Sequence, residues 1–171
     1  MIRLLLADDH AVVRNGLSQL LGQVEDLEVV GTAADGAQAV TQAAEHAPDV
    51  VLMDLEMPVL SGSEATRQIL AARPDTRVVV LTSFADRERI LDALDAGAIG
   101  YLLKDAEPDE LVRGIRAAAR GESPLAPRAA SAVLLARASR PTAPELSRRE
   151  TEVLELVGDG LPNKLIARRL G

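Results

Sequence analysis

The sequence has no cysteine and no tryptophan, and a single tyrosine and a single phenylalanine, in 171 residues. The missing cysteines exclude disulfide scaffolds, zinc–thiolate centres and thiol nucleophiles. With Phe84 and Tyr101 as its only aromatics, the chain lacks the stacking platforms that grip single-stranded nucleic acid. No stretch approaches the roughly 18 uncharged apolar residues that a membrane span needs. The apolar start at residues 2–7 meets Asp8 and Asp9 before it could serve as a signal-peptide core. A soluble, cytoplasmic protein without membrane contact is therefore expected.

What is present is charge, unevenly placed. The formal net charge is −7, against a hydrophobic content of 47% that supports a buried core. Residues 1–120 carry 11 basic and 20 acidic side chains, a net of −9, whereas residues 121–171 carry 8 and 6, a net of +2. The overall sign speaks against a simple nucleic-acid binder, because phosphate contacts dominate that affinity. Only the weakly basic tail is suited to meet a polyanion.

Residues 1–120 repeat one pattern five times, a short apolar run followed by a turn and an amphipathic stretch. The runs, at 2–7, 27–31, 50–53, 78–81 and 99–103, are nearly continuous in Val, Ile and Leu, as expected of parallel strands buried on both faces. The stretches between them show helical spacing: Val12, Val13, Leu17, Leu20 and Leu21 in the first, Ala37, Val40, Ala43 and Ala44 in the second. Ala65, Ile69 and Leu70 mark the third, Ile90, Leu91 and Leu94 the fourth, and Leu111, Val112 and Ile115 the fifth. The pattern predicts an α/β domain, a flavodoxin-like, doubly wound five-stranded parallel sheet with its sites at the carboxyl ends of the strands. From Gly121 the texture changes. Pro124, Pro127, Pro141 and Pro144 bracket an Ala/Leu/Arg-rich stretch at 128–139, which predicts a linker with one helix over 121–146. Ser147 and Glu150 then form a capping-box pattern, opening a partial all-α segment over 147–171.

The predicted strand ends deliver Asp8 and Asp9, Asp54, Thr82 and Lys104 to one edge of the sheet. Carboxylates converging in a small space need compensating charge, which a hard divalent cation such as Mg²⁺ supplies. A lysine adds a point charge suited to a phosphoryl oxygen. Carboxylate nucleophile, cation and hydroxyl together suit phosphoryl transfer to aspartate. Each residue alone has a plainer reading: Asp8 and Asp9 as helix caps, Thr82 as turn chemistry, Lys104 as a solvated charge. The weight lies in four strands sending complementary groups to one place. His10 is expected only to start a helix, with no metal or acid–base role.

Leu5-Leu6-Ala7-Asp8-Asp9-His10, Asp54-Leu55-Glu56-Met57-Pro58 with Gly62, Leu81-Thr82-Ser83 and Gly100-Tyr101-Leu102-Leu103-Lys104-Asp105 resemble the receiver-domain motifs of two-component response regulators over residues 1–120. The resemblance implies that Asp54 is the phosphoacceptor, Asp9 a direct Mg²⁺ ligand and Asp8 a ligand through water, with the backbone carbonyl of Glu56 completing the set. It implies that Lys104 pairs with the phosphoryl group, that Thr82 swings towards it and that Tyr101 turns inward behind the threonine. Glu56 and Phe84, two residues beyond Asp54 and Thr82, are expected to tune the lifetime of the acyl phosphate. A histidine kinase as donor and a homodimer on phosphorylation follow from the same resemblance. Because Asp54 would be modified once rather than turn substrate over, no enzyme is expected.

Leu146-Ser147-Arg148-Arg149-Glu150, Glu152-Val153-Leu154, Asn163-Lys164 and Ile166-Ala167-Arg168-Arg169-Leu170-Gly171 resemble the start of the LuxR-type helix-turn-helix of the NarL/FixJ subfamily. Pro162 and Leu165 depart from the usual small hydroxyl and acidic residues at their positions. In that subfamily the recognition helix follows the position of Gly171, and base edges are read there. DNA reading is thus expected of a full-length parent regulator and not of these 171 residues, whether the end reflects shortening, proteolysis or a natural protein without the reader. Two other functions compete: a stand-alone receiver acting by protein contacts, and a haloacid-dehalogenase-like phosphatase. The latter also places an acid two residues after its nucleophile, as in Asp54-Leu55-Glu56, but normally on the first strand rather than the third.

Overall fold

The computed structural model describes residues 1–83 and 87–124, together with the isolated helical positions Ala130, Leu156 and Leu165. Phe84, the expected linker helix at 128–139 and the LuxR-like segment at 147–171 fall, apart from those three positions, outside the described residues. The chain divides into two compact units, Met1–Ala138 and Ser139–Gly171; the elements below belong to the first.

Strand and helix alternate five times: β1 (Ile2–Ala7), α1 (Ala11–Leu21), β2 (Leu27–Ala33), α2 (Gly36–His46), β3 (Val50–Met53), α3 (Gly62–Ala72), β4 (Arg77–Thr82), α4 (Arg87–Asp95), β5 (Gly100–Leu103) and α5 (Pro108–Ala119). All strand pairings are parallel, in the order β2-β1-β3-β4-β5. This is the doubly wound sheet that the sequence predicts. The pleat sends alternate residues of each strand into different apolar layers. Leu4 and Leu6 of β1 pack with Leu52, Leu81, Leu17 and Ile115, while Leu5 and Ala7 pack with Val51, Met53, Ala43 and Ile69. A third cluster gathers Val80, Tyr101, Ile90, Ala93 and Leu55 beneath α4. Each fully buried Leu or Ile contributes about 1.5–3 kcal/mol, so the layers fix the strand ends firmly.

Local signals start the helices. The Asp35 carboxylate accepts from the Gln38 backbone N–H at 2.8 Å and from its side-chain amide at 2.6 Å, capping α2. Ser61 Oγ accepts from the Glu64 N–H at 3.3 Å, capping α3. Pro108 opens α5, where its missing N–H costs nothing.

Several expected details are corrected. β2 runs on to Ala33 and β4 from Arg77 to Thr82, and β5 begins at Gly100 rather than residue 99. Val12 is 86% exposed, because its direction on α1 lies about 140° from Leu17 and about 180° from Leu21. In α2 the buried residues include Ala39 and Ala43, whereas Ala37 and Ala44 are exposed. An alanine-rich helix offers several apolar stripes, and only packing selects one.

After α5 the chain turns at Gly121, with φ of +80°, and returns to β5. The Tyr101 N–H donates to the Pro124 carbonyl at 2.7 Å. A Cβ on Gly100 would lie 2.6–2.8 Å from Pro124 atoms, so only glycine allows this approach. Among the described residues, no helix is long and apolar enough to cross a membrane.

Candidate functional site

In the observed order β1 and β3 are neighbours, and the chain leaves them towards opposite edges of the sheet. The crevice outside their carboxyl ends is where doubly wound folds bind ligands. Ala7 pairs with Met53, so Asp8 and Asp54 emerge side by side. The Asp54 N–H donates to the Ala7 carbonyl at 2.8 Å, and the Lys104 N–H to the Thr82 carbonyl at 2.8 Å. Gly62 makes the turn after β3 possible, because a Cβ there would meet the Asp54 carbonyl oxygen at 1.9 Å.

Asp8 and Asp54 are 1% and 3% exposed. Lys104 Nζ lies 2.6 Å from Asp54 Oδ2 and 2.8 Å from Asp8 Oδ2, one cation between two buried carboxylates. Asp8 Oδ1 accepts from the His10 N–H at 2.8 Å, and Arg14 donates to the Asp8 carbonyl at 2.6 Å. Burial pushes the Asp54 carboxyl above its ordinary range; the Lys104 hydrogen bond and charge oppose this, and the Asp8 charge adds to it. Burial also acts to lower the Lys104 ammonium, but the combined hydrogen bonds and charges of Asp54 and Asp8 outweigh it and hold it above its ordinary value. Two carboxylates and one ammonium leave the centre net negative.

A cavity of about 310 Å³ opens over Asp54 and Lys104 and is walled by His10, Glu56, Thr82, Ser83 and Arg89. Oxygen or nitrogen ligand atoms of Asp8, Asp9, His10 and Asp54 all lie within 4.8 Å of one another. Three carboxylates dominate that set, and such oxygen donors fit a hard divalent cation.

The sequence-predicted Asp8, Asp9, Asp54 and Lys104 are thus brought together, and Thr82 lines the same cavity. Tyr101 does not line it; it is 1% exposed and packs in the apolar cluster with Val80 and Ile90. His10, read from the sequence only as a helix start, is the N-cap residue of α1 but makes no side-chain cap. Its Nδ1 instead lies 2.6 Å from Asp9 Oδ1. Sequence reading missed Arg89, which forms an ion pair with Glu56 across the cavity wall. It sits in the charge-rich run Asp86-Arg87-Glu88-Arg89, where no spacing marks one residue over its neighbours.

An acidic crevice at the switch point of a five-stranded doubly wound sheet, with a lysine delivered from β5, defines a receiver-type α/β domain. Residues 4–116 match the family model of the response regulator receiver domain, and residues 144–171 match that of the bacterial regulatory proteins of the luxR family. The chain is 43% identical over 174 residues to the transcriptional regulatory protein LiaR of Bacillus subtilis (strain 168), covering 99% of this chain and 82% of that protein. It is 41% identical over 173 residues to the nitrate/nitrite response regulator protein NarL of Escherichia coli (strain K12), covering 98% and 80%. Among solved structures, a LuxR-family two-component response regulator from Aurantimonas sp. SI85-9A1 superposes with a TM-score of 0.75 at 36% identity, over 81% of this chain and 99% of that one. The response regulator ChrA of a heme-sensing two-component system superposes with a TM-score of 0.66 at 41% identity, over 99% and 81%. The chain belongs to the two-component response regulators that join a receiver domain to a LuxR-type DNA-binding domain, the NarL and LiaR type.

Proposed function

We propose that Asp54 is the phosphoacceptor of this regulator and that its modification controls a transcriptional output. The observation that carries the reading is the Asp54 carboxylate, 3% exposed, with the Lys104 ammonium 2.6 Å from one oxygen and Asp8 and Asp9 beside it. In the transfer a carboxylate oxygen of Asp54 forms a bond to phosphorus while the bond from phosphorus to the donor nitrogen of a kinase phosphohistidine breaks. The imidazole leaves, and Lys104 faces the added charge. Mg²⁺ held by Asp9 and Asp54, by Asp8 through water and by the Glu56 backbone carbonyl would neutralise the phosphoryl oxygens. Thr82, on the cavity wall, donates its hydroxyl to the phosphoryl group, and the buried Tyr101 packs behind it as the second switch residue. Phosphorylation adds a strongly anionic, oxygen-rich group, and the state that binds it better becomes populated.

The division of labour is a receiver over 1–120, a linker over 121–146 and the LuxR-type segment over 147–171. The protein acts in the cytoplasm without substrate turnover, with a histidine kinase as donor, dimerisation on phosphorylation and DNA as the target of the LuxR-type domain. Incubation with acetyl phosphate and Mg²⁺, followed by intact mass, tests the central claim. One added phosphoryl group is expected, lost in Asp54→Asn; an unmodified native chain would remove the reading.

A further inference from the structure

One ion pair of the cavity wall has no part in the transfer described above. The Glu56 side chain, 65% exposed, projects from the loop after Asp54, and Arg89, 49% exposed, stands on α4. Their ion pair bridges loop and helix. Both also line a second cavity of about 390 Å³, with Leu55, Met57, Asp92 and Arg67, the last paired with Glu64, so the Glu56–Arg89 pair forms a partition between the two spaces. His10, Thr82 and Ser83 complete the wall of the first cavity; Asp9, one-third exposed, lies beside His10, and the centre beneath is already net negative.

We infer that Arg89 is a positioning residue of the phosphorylation site, holding the Glu56 carboxylate at the rim so that an anionic phosphoryl donor meets a balanced charge. The inference rests on the reading of Asp54 as phosphoacceptor. Without Arg89, the Glu56 carboxylate loses its ion pair two residues from the nucleophile. Together with Asp9 it then repels a dianion such as acetyl phosphate before the oxygen–phosphorus bond to Asp54 forms and acetate departs. A cleft lined by one sign of charge alters the approach of charged molecules in this way, and salt screens the effect. Arg89 touches neither the reacting oxygen nor phosphorus in this account; it acts through Glu56.

The test follows phosphorylation of the whole chain by acetyl phosphate with Mg²⁺, read by intact mass at low and high ionic strength. Arg89→Ala should slow the load roughly fivefold at low salt, the size expected of one exposed charge acting on a dianion, and should approach the unaltered chain at about 1 M salt. Arg89→Lys should keep the rate, and adding Glu56→Gln to Arg89→Ala should recover most of the loss. An Arg89→Ala rate equal to that of the unaltered chain at low salt overturns the inference. A deficit that neither salt nor Glu56→Gln relieves also overturns it, since that is the mark of a purely structural role. An unaltered chain that takes up no phosphoryl group fails the Asp54 reading itself and takes the inference with it.

Discussion

The Lys104 ammonium stands 2.6 Å from Asp54 Oδ2, a cation from the end of β5 closing on a buried carboxylate from the end of β3. The same nitrogen reaches Asp8 at 2.8 Å. The sheet order makes this possible, because β4 alone separates the two strands. One lysine cannot neutralise two carboxylates, and the imbalance has consequences for stability as well as for phosphoryl chemistry.

The first concerns pH. Burial raises the Asp54 carboxyl above its ordinary value, with Lys104 opposing and Asp8 adding. For a group raised in the folded state, the contribution to stability is present below the unfolded value, about 4, and is lost as pH rises through the folded one. Ionised Asp54 therefore opposes folding at neutral pH. Asp54→Asn, compared with the native chain by urea unfolding without divalent cations, should be the more stable protein at pH 7. The difference should shrink towards zero below about pH 4. A less stable Asn variant at pH 7 would contradict the argument.

Val59 is a β-branched residue at φ of +68°, and it is 84% exposed. Such a backbone state costs about 1–3 kcal/mol where no glycine is present, and burial recovers nothing here. Val59→Gly should stabilise the chain by about 1 kcal/mol after the entropy of glycine is charged against it. A shifted urea midpoint with an unchanged slope is the expected signature.

Gly62 allows no side chain, since its Cβ would sit 1.9 Å from the Asp54 carbonyl oxygen and 2.9 Å from Leu55 Cα. These are backbone atoms and cannot rotate away. Gly62→Ala should cost about 3 kcal/mol or more. It should also slow phosphorylation, because the loop that must yield carries Asp54 itself. Normal stability in this variant would show that the turn is looser than described.

Much of this was legible in the residues. β1 and β3 fall where their apolar runs predict, because strands buried on both faces leave a continuous signature. Asp8, Asp54 and Lys104 converge as expected, with Asp9 beside Asp8, since each of the three directly follows a strand whose direction the crossover rule fixes. Helix phase was harder: Val12, Ala37 and Ala44, expected on apolar stripes, are exposed, because short helices rich in small apolar residues present more than one plausible stripe. The Arg89–Glu56 pair was invisible because it joins residues on different elements across a cavity, a distance that no periodicity encodes. Tyr101, expected to turn inward behind Thr82, is buried against Val80 and Ile90.

The contact between Pro124 and β5 bears on a different hazard. The outer rim of a parallel sheet offers unpaired amides to any extended peptide, and exposed rims seed aggregation. Here the Tyr101 amide is taken by the chain's own returning segment at 2.7 Å, and bare Gly100 lets that segment lie close. The sheet thereby covers this rung of its β5 border, denying it to a stray strand, with the few residues that lead out of α5.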